Sequence, residues 1–368
     1  MQKKLIALAV ASLMSGAAFA QSNVTISGNI FMGYDSNSTS GVVTTAGFGT
    51  VNRVSDHSSS IVFAGTEDLG GGMKAVFQID SRPGFDFTGG TWAGGNTHVG
   101  LTGNWGGFRM GKQDMHYHEL GVGLGTMRVR SLQSMIGAGM MSEVNGVAIT
   151  PRTRANNFMW YNSPNMSGFN VMAGVSTSAF ATEGTQTIDG SRGFTWTGTA
   201  KYANGPFNMG YSHWAHNEEG GNGATAGTVG SDQRSNRLWA RYAFAMGLEL
   251  GLGYDSSKYD SDATNSTNFV KRNAYQLAGK YSTGANAFYL QYASAGNTSG
   301  AGLADTGSGA HTWLLGYDYA LSKRTNVGIS YTHLRNKQNG TYDFFQSPVG
   351  TTAGARSTQL HLGMSHSF

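Results

Sequence analysis

The closing stretch of the chain, Thr358 to Phe368, alternates without a break until the polypeptide ends. Leu360, Leu362, Met364, His366 and the terminal Phe368 share one face, while Gln359, His361, Gly363, Ser365 and Ser367 share the other. A side-chain period of two is that of a β-strand. An element of about ten residues with one apolar and one polar face fits a strand that meets lipid on one side and water on the other. The same pattern opens near the N-terminus, where Val24, Ile26, Ile30, Met32 and Tyr34 alternate with Thr25, Ser27 and Asn29.

Between these ends similar segments recur. Ser59 to Gly65 and Met73 to Asp80 flank Thr66-Glu67-Asp68-Leu69-Gly70-Gly71-Gly72, whose glycines permit the positive φ of a tight turn. Further strands are expected at His98 to Thr102, Phe108 to Gln113, Arg154 to Tyr161, Phe169 to Val175, Phe194 to Tyr202 and Phe207 to Ala215. The remainder are Arg237 to Phe244, Leu248 to Asp255, Asn273 to Tyr281, Ala287 to Ala293, Thr312 to Leu321 and Asn326 to Leu334. Short turns alternate with long loops rich in Gly, Ser, Asn and Asp. The even count and this alternation predict an all-β fold, a 16-stranded antiparallel transmembrane β-barrel with its short turns on the periplasmic side. Aromatic residues at strand ends on the apolar face, among them Phe194, Tyr202, Phe207, Tyr211, Trp313, Tyr319 and Tyr331, read as two interfacial girdles. A soluble β-sandwich rarely keeps its second face this hydrophilic over so many strands.

The N-terminus supplies an address. Lys3 and Lys4 precede an apolar run from Leu5 to Met14 that is too short to span a bilayer, and Ala18-Phe19-Ala20 has the small-x-small form of a cleavage site. Residues 1–20 are therefore expected to be a signal peptide cleaved after Ala20, and residues 21–368 a single barrel domain. Of the formal net charge of +4 the leader contributes two lysines. What remains is small and scattered, and speaks against nucleic acid as a partner. Gly accounts for 55 of 368 residues and Cys for none, so no disulfide framework stabilises this secreted chain, and ladder hydrogen bonds must do so.

The Gly65-Thr66-Glu67-Asp68-Leu69-Gly70-Gly71-Gly72 hairpin, Tyr161-x-Ser163-Pro164 followed by Gly168-Phe169, and the terminal Phe368 together resemble the general porins of β-proteobacterial outer membranes, of the neisserial and Bordetella/Burkholderia type. The resemblance covers essentially the whole chain after the leader. It implies a barrel that assembles as a homotrimer in the Gram-negative outer membrane, among its lipid and lipopolysaccharide, with the long third loop folded into the lumen as a constriction. It further implies that Phe368 is part of the signal read by the barrel-assembly machinery, and that small hydrophilic solutes and ions are the cargo. One departure stands out: lumen-facing positions of the second strand that are often basic in this group hold Ser60 and Ala64.

The third loop, from Asp114 to about Thr153, carries Asp114, Glu119 and Glu143 against Arg128, Arg130 and Arg152, with a Gly/Met-rich middle from Met135 to Met141 able to pack on a wall. A charged loop facing a charged wall sets up a transverse field in a narrow opening, which sorts solutes by size, charge and dipole. Strand parity puts Lys74, Arg82, Arg109, Arg154, Lys201, Arg237 and Arg241 on faces opposite the apolar ones, with Asp80, Glu249, Asp255 and Asp318. An Arg toward lipid at mid-depth costs roughly 2 to 4 kcal/mol, so that face is the lumen. The basic excess predicts mild anion selectivity, with Arg82, Arg109, Asp114, Glu119, Arg128, Arg130, Glu143 and Arg154 at the constriction and Lys74, Arg237 and Arg241 on the wall.

Other chemistries find little support. Gly106-x-x-x-x-Gly111-Lys112 is followed by Gln113 instead of Ser or Thr and lies at a hairpin turn, so it is no phosphate loop. His116 and His118 beside Glu119 lack further ligands at metal-binding spacing, and Asp255, Asp260 and Asp262 do not match a calcium loop. No cofactor or metal is expected. A barrel enzyme would need a grouped Ser, His and acid, and none is evident. A plugged barrel acting as an adhesin would need more than the third loop to seal it, whereas a substrate-specific channel remains an alternative to general diffusion.

Overall fold

The computed structural model describes residues 23–41, 49–86, 89–114, 116, 136–141, 143–144, 147–148, 154–177, 194–217, 232–260, 269–300, 307–344, 349 and 351–368. It is a closed 16-strand antiparallel β-barrel. The strands are β1 (Asn23–Ser40), β2 in two segments (Thr50–Asp56 and Ser60–Gly70), β3 (Met73–Pro83), β4 (Thr97–Gly103), β5 (Gly106–Asp114), β6 (Arg154–Asn162), β7 (Phe169–Ser176) and β8 (Phe194–Asn204). The second half comprises β9 (Phe207–Asn217), β10 (Asp232–Ala243), β11 (Leu248–Asp260), β12 (Phe269–Thr283), β13 (Asn286–Ala295), β14 (Ala310–Ala320), β15 (Thr325–Asn336) and β16 (Arg356–Ser367). Among the described residues of the third loop is a helix, α1 (Ile136–Met141).

Closure is made by β1 against β16, in register from Asn29 opposite Ser367 to Ser40 opposite Arg356. A closed ladder leaves no strand edge unpaired, the condition for irregularity-free passage through hydrocarbon. The β2–β3 turn has Gly70, Gly71 and Gly72 at φ of 81°, 61° and 80°, values that a side chain would resist. Alternation sorts the two faces as the sequence predicts. Leu252, Leu277 and Leu290 are more than half exposed on the outside, a continuous apolar surface of the kind that lipid covers. Thr195, Thr197, Thr199, Ser212, Ser235 and Ser257 are buried on the inside.

Several boundaries differ from the sequence reading, three of them where they bear on the sites below. β1 runs on to Ser40 and β2 begins at Thr50, where a loop was expected. These added residues lie beyond the apolar alternation: Asp35, Asn37 and Ser55 are buried polar side chains on the inner face and Ser36, Ser38 and Ser40 occupy the outer one, so no contrast of polarity marks the strand. β2 is then interrupted at His57, where the His57 amide donates to the Phe31 carbonyl at 2.9 Å and the Ser59 hydroxyl accepts from the Phe31 amide at 3.0 Å. Asp114, expected to open the third loop, is the last residue of β5 and pairs in register with Arg154.

Candidate functional site

The inner wall carries two charged clusters. The first lies on β10, β11 and β12, where register places Arg237 opposite Asp255 and Ser257 opposite Arg272. The Asp255 carboxylate is fully buried and accepts four hydrogen bonds. Its donors are Arg237 Nε at 2.6 Å, Arg272 Nη2 at 3.0 Å, Ser235 Oγ at 2.9 Å and Ser257 Oγ at 2.6 Å. Both guanidinium groups then reach away from the wall to the third loop. Arg272 Nη1 donates to the Met140 carbonyl at 2.6 Å and Nη2 to that of Met141 at 3.2 Å, while Arg237 Nη2 reaches the Met141 carbonyl at 3.1 Å. The last carbonyls of a helix have no partner within it and sit at its negative end, so two cations satisfy them on both counts.

The rest of α1 is seated by shape. Ile136, Met140 and Met141 are buried in a cluster with Ala274, Ala278, Ala287, Ala293, Tyr289 and Leu314. These inward positions of β12 to β14 are mostly alanine, a departure from the uniformly polar lumen face that alternation predicts, and their small side chains make room for the helix. Gly137 allows the closest approach, since a Cβ there would lie 1.8 Å from Gln276 Oε1. Nearer β5, His116 is buried with its ring nitrogens 2.8 Å from Ser212 Oγ and 2.7 Å from Ser235 Oγ, and its carbonyl accepts from Arg237 Nη1 at 3.1 Å. Burial, and then the Arg237 charge, hold this imidazole well below its ordinary pKa, so it is uncharged.

The second cluster gathers the ends of β3, β5 and β6. Arg82 Nη2 meets Asp80 Oδ2 at 2.6 Å, and Arg154 Nη2 meets Asp114 Oδ2 at 3.0 Å. Asn96 joins the pairs: its amide donates to Asp80 Oδ2 at 3.2 Å, while its Oδ1 accepts from the Asp114 amide at 2.8 Å and Arg154 Nε at 3.1 Å. Arg82, Asp114 and Arg154, three of the expected constriction residues, therefore belong to one network.

Of the other expected residues, Arg109 faces inward, opposite Gly100 and Trp160, and has no carboxylate at ion-pair distance among the described residues. Lys74 faces inward opposite Thr102. Arg241 lies 3.6 Å from Glu249. Glu143 is in a two-residue strand, Glu143–Val144, paired with Val147–Ala148. Glu119, Arg128 and Arg130 lie outside the described residues, as do Arg152, His118 and Asp262. Asp255 and Asp260, weighed together for a surface cation, are separated by the wall: Asp255 points inward, and Asp260 has the outward parity and lies 3.6 Å from Lys258. Phe368 exchanges backbone hydrogen bonds with Gly28 at 3.0 and 3.1 Å, and its ring lies where a Cβ on Gly28 would intrude. Sequence reasoning missed Arg272, one residue outside the strand it drew, although its parity with Ala274 would have turned it inward.

The family described as Gram-negative porin matches residues 7–339. Outer membrane porin protein 32 of Delftia acidovorans is 31% identical, with 100% of each chain covered. An outer membrane porin protein of Bordetella pertussis is 28% identical, again over 100% of each. Among solved structures, the anion-selective porin from Comamonas acidovorans superimposes with a TM-score of 0.75 at 25% identity, covering 95% of this chain and 100% of the other.

Proposed function

The chain belongs to the Gram-negative porin family, and from that premise we propose how its channel selects. It is an outer-membrane porin, and a family and fold of this kind point to a channel and not to an enzyme. The carrying observation is α1 held on the inner wall by Arg237, Arg272 and the Asp255 carboxylate between them. A loop fixed to one side of a barrel narrows the passage without sealing it. Small hydrophilic solutes and ions then diffuse through the remaining opening, beside the network of Arg82, Asp80, Asn96, Asp114 and Arg154.

The selectivity we propose is a mild preference for anions. Arg82, Arg154, Arg237 and Arg241 each have a carboxylate partner, so their fields are largely cancelled at a distance. Arg109 and Lys74, and the positive charge left over where Arg237 and Arg272 share the one Asp255 carboxylate, contribute net positive field on the described wall, with the third-loop cations Arg128 and Arg130 as further contributors at the constriction alongside Glu119 and Glu143. The anion-selective character of the Comamonas relative supports this reading. The working unit is proposed to be a homotrimer of chains cleaved after Ala20, inserted with Phe368 as part of the assembly signal, in contact with lipid and lipopolysaccharide.

The test is single-channel current through the refolded mature protein in a planar bilayer under a salt gradient. Conductance steps in groups of three with a reversal potential on the anion side are expected. A cation-side potential would overturn the selectivity, and a folded barrel without conductance would overturn the open channel.

A further inference from the structure

A third cluster, at the seam where the barrel closes, takes no part in either charged site. Asp35 of β1 and His361 of β16 are direct partners across the closing ladder, and His57 fills the interruption of β2 on the other side of β1. All three side chains are fully buried. His361 Nδ1 lies 2.8 Å from Asp35 Oδ1, His57 Nε2 lies 3.5 Å from Asp35 Oδ2, and the two imidazole rings are 4.4 Å apart, edge to face. Each residue offers one ligand atom, and the three atoms lie within 4.8 Å of one another.

Hydrogen bonds among the three do not complete them. Asp35 Oδ2, His361 Nε2 and both nitrogens of His57 are buried without a hydrogen-bond partner. Buried polar atoms are ordinarily satisfied, so unpartnered atoms on all three side chains of one cluster call for a partner of another kind. A cation bound by ring lone pairs and a carboxylate oxygen is such a partner. Two ligand atoms each about 2.1 Å from a tetrahedral zinc are about 3.4 Å apart, close to the observed 3.5 Å between His57 Nε2 and Asp35 Oδ2.

The backbone is shaped for these rings. Gly33, the inward neighbour of Asp35 on β1, faces Gly363 across the seam, and a Cβ at Gly33 would lie 2.1 Å from His361 Cε1. The break in β2 turns His57 toward the same place, with Ser58 at φ of 71°.

We propose that Asp35, His57 and His361 form a binding site for a divalent first-row transition ion of the Zn²⁺ class, which ties β1, β2 and β16 together from inside the barrel. Two imidazoles and one carboxylate, without thiolate, suit Zn²⁺, Fe²⁺, Co²⁺ or Ni²⁺ better than the all-oxygen shells of Ca²⁺ or Mg²⁺. Three protein ligands leave one position for water or an anion. The sequence gives no sign of the site because its ligands come from opposite ends of the chain.

None of the three is exposed, so the ion is supplied during refolding of the mature chain, as Co²⁺ for spectroscopy and Zn²⁺ for affinity. One Co²⁺ per chain with visible d–d absorption is expected, displaced by Zn²⁺. Zinc-loaded barrel should unfold at a higher temperature than barrel refolded in chelator. Changing an outer-shell partner of a bound metal weakens binding 10- to 100-fold, so His57→Gln and His361→Gln should each weaken it by at least about tenfold. The outward-facing His366→Gln should leave it unchanged. Wild-type protein without visible Co²⁺ absorption, or a His57→Gln/His361→Gln double variant that binds as tightly as the wild type, overturns the site. If the histidine variants do not fold, paramagnetically shifted imidazole resonances in the Co²⁺-loaded wild type decide: two rings support the site, and one or none overturns it.

Discussion

Arg272 Nη2 and Asp255 Oδ1 meet at 3.0 Å with both side chains fully buried, and the same guanidinium closes the end of α1. Removing one member of a buried pair strands the other, at roughly 3 to 5 kcal/mol. Arg272→Met leaves Asp255 with Arg237, so its cost should fall at or below the lower end of that range. Asp255→Asn leaves two buried guanidiniums facing a neutral amide and should cost more. Denaturant unfolding of the refolded barrel gives the order. Single-channel conductance should rise in both variants, because the helix loses its hold on the wall.

Gly137 tests how closely α1 lies against β12. A methyl group there would lie 1.8 Å from Gln276 Oε1, and overpacking of this kind typically costs 1 to 3 kcal/mol. Gly137→Ala should therefore destabilise the docked helix and alter conductance. The clashing atom is the end of a flexible side chain, so Gln276→Ala should remove most of the effect. A double-mutant cycle on conductance and stability measures that coupling.

Arg109 and Arg154 should differ in what their loss does to selectivity. Arg154 is paired with Asp114, and Arg154→Ala exposes a carboxylate while removing a cation. Arg109→Ala removes a cation alone. Both should move the reversal potential toward cations, Arg109→Ala with little change in stability and Arg154→Ala with a loss of stability because Asp114 is buried, and the selectivity shift for Arg154→Ala should vanish in Arg154→Ala/Asp114→Asn. Equal potentials in all variants would remove this part of the wall from the selectivity account.

His116 gives a pH dependence with a definite sign. Burial, then Arg237 and His213, push its docked pKa well below the ordinary value. Above about pH 6.5 the imidazole is neutral both docked and free, and docking is independent of pH on this account. As pH falls below that value the free loop takes up a proton that the docked loop cannot, so docking weakens progressively with acidification. Conductance recorded from pH 7.5 to pH 5 should rise toward the acid end in the wild type and stay level in His116→Gln. Asp255 reaches the same Ser235 hydroxyl.

The barrel was legible in the sequence because lipid imposes a strict rule on one face of every strand: Leu252, Leu277 and Leu290 could be placed by parity alone. Where that rule lapses, the reading failed. Thr50 to Asp56 shows no apolar alternation, and Arg272 lies just past the apolar stretch of β12. The lumen obeys a looser rule, set by what the third loop needs. Ala274, Ala278, Ala287 and Ala293 face inward because α1 rests on them, a requirement written in a segment more than a hundred residues away. Arg82 and Arg154 were recognised as lumen charges, with Asp80 on the same face and Asp114 at the constriction, but how they pair was not, since pairing through Asn96 depends on register between strands that the sequence does not specify.

Among its described residues, the third loop is attached to one side of the barrel. Its described contacts fall on β9 to β14 through His116, Arg237, Arg272 and the alanine seat, and the helix has its neighbours on β11 to β14. Mechanically the helix is a bracket on one arc of a hoop. Shear between β10 and β12 would be transmitted through two rigid guanidinium planes into a displacement of α1, whereas distortion of the opposite arc would pass it by. A lateral load on those strands is thus the load expected to change the aperture.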